Sequence, residues 1–121
     1  MNIDVIIPAL NEEASVAGVV VGLLRTGFVR TVWVVDNGST DATANEARRA
    51  GANVLTEPRR GYGSACLCGL SALRPDTDIV LFIDADGSDL PAELIRVVEP
   101  IVDDRADLVI GSRVLGQPEP G

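Results

Sequence analysis

The sequence predicts a three-layer α/β/α fold on a mostly parallel sheet. Three observations carry that expectation. Apolar, strand-like runs alternate with helix-length segments along the chain. The runs are continuous rather than alternating, as in parallel strands covered on both faces. A polar stretch, often with glycine, follows each run. With 121 residues, 46% of them apolar, the chain can bury one core and is too short for two ordinary domains.

Taken in order, the first strand centres on Val5-Ile6-Ile7. Asn11 is placed to cap a helix through about Leu24, with Val16, Val19, Val20, Leu23 and Leu24 at helical spacing and Gly27 as its stop. Val32 to Val35 forms a second strand. Ser39 or Thr40 then caps a helix that ends near Ala50-Gly51. Val54-Leu55 is a short third strand, and a helix follows from about Tyr62 to Leu73. The fourth strand is Ile79 to Ile83. Pro91 suits the first turn of a helix running to about Glu99, where Pro100 ends or kinks it. Leu108-Val109-Ile110 is the fifth strand, and the tail "VLGQPEPG" reads as a loop inside a longer protein.

Composition excludes several function classes. A net charge of −8 leaves no basic stripe to neutralise phosphates, so nucleic acid is not expected as a partner. The chain has no His, which removes His-based general-base catalysis and His metal ligands. Cys66 and Cys68 have no second pair to complete a zinc site and read as small core or near-core residues. No run approaches the roughly 20 apolar residues of a membrane span. "MNIDVIIPAL" lacks the basic start of a signal peptide, so the expected setting is a cytoplasmic protein or the soluble part of a larger one.

In an open α/β sheet, ligands bind beyond the carboxyl ends of the strands. The polar residues collect there in "PALNEE", "DNGSTD", "EPRRGYGS", "DADGSD" and "GSR". Asn37 to Thr40 fit a turn and a helix cap, whereas Asp36, at a strand end, is a ligand candidate. Asp84 and Asp86 stand two apart on an exit turn. Few carboxylates, with the remaining oxygens supplied by phosphate and water, suit Mg²⁺ or Mn²⁺. Asp89 fits the start of the following helix instead. Arg59, Arg60 and Arg113 supply positive charge at strand ends, Arg59 and Arg60 just before two glycines and a helix N-terminus.

"PALNEE", "VVDNGSTDAT", "GYGSACLCGL", "FIDADGS" and "LVIGSR" together resemble, in order and spacing, the N-terminal half of inverting family 2 glycosyltransferases of GT-A fold, nearest to polyprenyl-phosphate (dolichyl-phosphate) hexosyltransferases. The resemblance implies a Rossmann-like nucleotide-diphospho-sugar transferase domain over residues 1–121, stopping at about 113–121 before the acceptor-binding part. It implies a UDP- or GDP-hexose donor lying against Pro8, Ala9, Asn11, Glu12, Asp36, Arg60, Gly61, Asp84, Ala85, Asp86 and Arg113. Asp84 and Asp86 match the D-x-D motif, as catalytic residues and as ligands of Mg²⁺ or Mn²⁺. Arg113 falls in the loop after the fifth strand. The implied acceptor is a polyprenyl phosphate at the membrane surface, with the full-length protein peripheral to the membrane. Two departures stand out: Asn37 replaces the second Asp usual in the family, and Ser88 replaces a frequent Gln.

Other readings differ in testable ways. A glycosyltransferase with a saccharide acceptor shares the donor motifs. A non-catalytic nucleotide-sugar-binding module would bind the donor without turnover. A sugar-phosphate nucleotidyltransferase wants a Gly-rich basic loop where this chain has the acidic "PALNEE". A receiver domain wants a Lys, and all ten basic residues here are Arg.

Overall fold

The computed structural model describes residues 2–87, 108–110 and 113–114. Within them lie β1 (Ile3–Ala9), α1 (Val16–Arg25), β2 (Thr31–Asp36), α2 (Thr43–Ala50), β3 (Asn53–Thr56), α3 (Tyr62–Ala72), β4 (Ile79–Phe82), β5 (Leu108–Ile110) and β6 (Arg113–Val114). The expected helix from Pro91 to Glu99, with Ser88, Asp89 and the tail after 114, lies outside the described residues.

The strands form one sheet in the order β3-β2-β1-β4-β5-β6. All neighbours are parallel except β5 and β6. From β1 the chain winds outward through β2 and β3, then returns across the sheet to place β4 on the other side of β1. The strand order therefore reverses between β1 and β4, where such sheets open a crevice at their carboxyl edge.

Successive side chains of a strand point to opposite faces, and β1 uses both for core. Ile3, Val5, Ile7 and Ala9 pack with Val16, Val19, Val20 and Leu23 of α1 and Ala47 of α2. On the other face Ile6 packs with Val35, Phe82 and Ala65 of α3, and Trp33, Leu55, Cys66 and Cys68 border this smaller cluster. Both cysteines are half-buried free thiols, in keeping with a near-core role. Gly69 permits the close approach of α3: a Cβ there would lie 2.5 Å from Ile6 Cγ2.

Two expected helix starts move. Asn11 does not cap α1. Its backbone is left-handed (φ +53°), which Asn tolerates, and its Oδ1 accepts the Thr40 N–H at 2.8 Å. α1 begins only at Val16, after a turn over 12–15. Neither Ser39 nor Thr40 caps α2. That helix starts at Thr43, whose N–H and hydroxyl both donate to Asp41 Oδ1. The side chains of Asn11 and Ser39 bond across to the neighbouring loop rather than along the helices they were expected to cap. Gly27 (φ +83°) follows α1 and Gly51 (φ +109°) ends α2 as expected. Arg113 lies on a short antiparallel strand, its backbone paired with Ile110, and not in a loop. The two-residue Gly-Ser link between β5 and β6 is the hairpin signal that could have announced it.

At the amino end of the central strand β1, away from the carboxyl-end loops, Asp4 is 1% exposed. Arg30 donates to it through Nε (3.1 Å) and a terminal nitrogen (2.6 Å), and the Thr77 hydroxyl donates at 2.6 Å. Burial by itself would raise this carboxyl. The hydrogen bonds from Arg30 and Thr77 outweigh it and hold the group below the ordinary carboxylate range.

Candidate functional site

Three loops meet where the strand order reverses. The loop after β1 and the loop after β2 are clasped by reciprocal bonds. Asn11 N–H donates to Ser39 Oγ (2.9 Å) and Glu12 N–H to Thr43 Oγ1 (2.9 Å). In return, Ala42 N–H donates to Glu13 Oε2 (3.1 Å). The turn after β4 joins them through Ser15, whose Oγ lies 2.7 Å from the Ala85 carbonyl and 3.2 Å from Glu12 Oε2. A hydroxyl has one proton, so the nearer carbonyl takes the stronger share. Ser15 thus ties the Asp84–Asp86 turn to the loop that carries Glu12.

Two adjoining clefts open over this junction. The first, about 400 Å³, is lined by Pro8, Ala9, Leu10, Asn37, Arg60, Gly61, Tyr62 and Ala65. The second, about 310 Å³, is lined by Pro8, Leu10, Glu12, Tyr62, Asp84, Ala85 and Asp86. Pro8, Leu10 and Tyr62 border both, so the two adjoin as one two-ended trough, with Tyr62 48% exposed. One end is apolar and carries Arg60, and the other is acidic.

The sequence-named residues divide between these ends. Pro8, Ala9, Arg60 and Gly61 line the first cleft, and Glu12, Asp84, Ala85 and Asp86 the second. Ala85 is buried, while Asp84 and Asp86 on either side of it are exposed. The two carboxylates therefore stay hydrated, and burial adds little to the cost of holding them close. Asn11 and Asp36 line neither cleft. Asp36 Oδ1 accepts the Ser39 N–H at 2.9 Å and shapes the turn after β2. The side chain of Arg113 lies outside the described residues.

Among the described residues no group of three or more Asp, Glu, Cys or His side chains converges. At the acidic end Asp84 and Asp86 offer carboxylate oxygens, to which phosphate and water oxygens would add. That donor set fits Mg²⁺ or Mn²⁺.

One residue outside the expected donor-binding set proves central. Asn37, which reads as a turn former, is 6% exposed. Its Nδ2 donates to the carbonyls of Glu57 (2.9 Å) and Arg59 (2.7 Å), and its Oδ1 accepts the Gly61 N–H (3.0 Å). It holds the loop between β3 and α3 against the end of β2. Gly38 beside it leaves room for Arg60: a Cβ there would stand 3.4 Å from the Arg60 Nε. Departure of this position from the usual family Asp is the one signal that singles it out in the sequence.

Comparison with known proteins agrees with this arrangement. A family model described as glycosyl transferase family 2 matches residues 4–121. A glycosyltransferase of Mycobacterium tuberculosis is 46% identical over 111 residues, covering 92% of this chain and 48% of the relative. The UDP-N-acetylglucosamine–dolichyl-phosphate N-acetylglucosaminyltransferase of Methanococcus voltae is 31% identical over 131 residues, covering 93% of this chain and 52% of the relative. The chain thus spans about half the length of these curated relatives. Among solved structures, glucosyl-3-phosphoglycerate synthase from M. tuberculosis, in complex with Mn²⁺, UDP-glucose and phosphoglyceric acid, superposes with a TM-score of 0.73 at 35% identity, covering 83% of this chain and 39% of that one.

Proposed function

The chain belongs to glycosyl transferase family 2 and has the GT-A fold, and on that premise we propose that residues 1–121 form the nucleotide-sugar-binding domain of an inverting hexosyltransferase. The observation that carries the proposal is the two-ended trough, with an apolar end bearing Arg60 and a two-carboxylate end at Asp84 and Asp86. A nucleoside-diphosphate sugar has matching parts: a flat base, then a diphosphate that needs positive charge.

In this reading Pro8, Ala9 and Ala65 bury one face of the nucleoside, and Tyr62 and Arg60 border it. Glu12 meets the ribose. Asp84 and Asp86 hold a divalent cation, as expected from relatives solved with Mn²⁺ or Mg²⁺ and UDP. When bound, that cation neutralises charge on the departing diphosphate. The hydrogen bond of Ser15 to Ala85 ties down the turn that carries the two carboxylates. An acceptor oxygen forms its bond to the anomeric carbon on the face opposite the breaking bond to diphosphate, which inverts that centre. A phosphate acceptor is already anionic, so no strong base is required of the protein.

For the acceptor, the name of the M. voltae relative supports a polyprenyl phosphate. The M. tuberculosis structures bound to phosphoglyceric acid favour a second reading, a small phosphorylated acid. The donor site is tested by thermal shift with UDP and GDP, each with and without Mn²⁺. One nucleotide should raise the melting temperature, more so with Mn²⁺, and Asp86→Ala should remove the metal-dependent part. No shift with either nucleotide refutes the donor site. Transfer of radiolabelled hexose to undecaprenyl phosphate, against phosphoglyceric acid, then separates the acceptors. Donor binding with no hydrolysis and no transfer to either acceptor would leave a binding module.

A further inference from the structure

We propose that Asn37 is a positioning residue, whose neutral amide locks the loop carrying Arg60 over the nucleoside cleft and so sets donor affinity. The inference rests on the donor-site reading above. A buried carboxamide has two donor hydrogens and one acceptor oxygen with two lone pairs. Asn37 uses both hydrogens, on the carbonyls of Glu57 and Arg59, and one lone pair, on the Gly61 N–H. The orientation of the amide follows from chemistry: two carbonyl oxygens face one end and an N–H faces the other, so only one flip satisfies all three.

These partners bracket Arg60 in the chain, Glu57 and Arg59 before it and Gly61 after it. The Arg60 side chain lies over Gly38, the residue after Asn37. The backbone on both sides of the arginine is therefore tied to one side chain that itself sits at the end of β2. A carboxylate at position 37 has the same shape but no donor. It would set a negative charge against two carbonyl oxygens, and the loop would have to move away. The neutral amide at this position is thus required by the loop path seen here, and it accounts for the departure from Asp.

The test titrates UDP and GDP, each with Mn²⁺, calorimetrically into the wild-type protein, and then the nucleotide that binds into Asn37→Asp, Arg60→Ala and the double variant. Asn37→Asp should weaken binding by about tenfold or more, since two donated hydrogen bonds are lost and a charge is left unpaired. In the Arg60→Ala background the same change should cost clearly less, because the loop no longer presents a guanidinium. A residue that acts by direct ligand contact, or only by general stability, loses the same factor in both backgrounds, and that additivity overturns the proposal. Equal affinity of wild type and Asn37→Asp also overturns it. If the wild type binds neither UDP nor GDP, the donor-site reading falls and takes this inference with it, which distinguishes the two failures. Should Asn37→Asp not fold, amide exchange in the wild type decides. The Gly61 N–H should be protected, and exchange at the rate of an open loop overturns the proposal.

Discussion

Replacing Gly69 with Ala separates what the helix prefers from what the packing permits. Mid-helix Gly→Ala ordinarily stabilises by about 0.5–1 kcal/mol, because Gly loses more backbone freedom on folding. At Gly69 the added Cβ meets Ile6 Cγ2 at 2.5 Å, Cδ1 at 3.0 Å and Cγ1 at 3.1 Å. Ile6 is fully buried on the central strand, and its Cγ2 is rigidly attached to a branched carbon. It cannot swing aside, so α3 must lift from the sheet. Overpacking of this kind costs about 1–3 kcal/mol. Less the propensity gain, the net should be a loss of about 1–2 kcal/mol. Gly18 in α1 is the internal control: it is exposed, and nothing lies within 4 Å of its would-be Cβ. Gly18→Ala should stabilise by about 0.5–1 kcal/mol. Urea unfolding followed by circular dichroism gives both values. In an Ile6→Ala background, Gly69→Ala should turn neutral or favourable. If Gly69→Ala stabilises as much as Gly18→Ala in the wild-type background, the close approach of α3 to β1 is wrong. The width of the cleft lined by Pro8, Ala9, Tyr62 and Ala65, which lies between those elements, would then need revision too.

Three further outcomes follow from the geometry. Asp4 titrates below its unfolded value of about 3.9, so its contribution to stability is present above that pH and is lost as pH falls through the lower folded value. Urea unfolding from pH 6 to pH 2 should show a decline that Asp4→Asn flattens, and an unchanged slope would count against the buried ion pair. Ser15→Ala frees the Ala85 carbonyl and loosens the Asp84–Asp86 turn. It should weaken Mn²⁺-dependent UDP binding several-fold while lowering stability by only about 1 kcal/mol; equal loss without Mn²⁺ would contradict the tie. Gly38 has φ +94° and lies beneath Arg60, so Gly38→Ala should strain the turn and weaken UDP binding more than a Gly18→Ala control; parity between the two would refute the role.

Much of this molecule was legible from local pattern. Element order, the continuous apolar strands and the clustering of polar residues at strand ends depend on residues a few positions apart. The pair Asp84 and Asp86 stood out for the same reason, as charge placed abruptly after an apolar run. Helix starts were less legible, because Asn11 and Thr43 spend their hydrogen bonds on a neighbouring loop or its flank rather than on a cap of the expected kind. The strand order, the burial of Asp4 and the grip of Asn37 needed the tertiary structure. Thr77 reaches Asp4 across 73 positions, and Gly61 reaches Asn37 across 24. Whether a polar side chain is a solvated turn former or a satisfied buried bracket depends on partners that distant. Composition and periodicity thus determined which layers form and which loops carry chemistry. Long-range packing and hydrogen bonding decided which of those loop residues face the trough and which hold its walls in place.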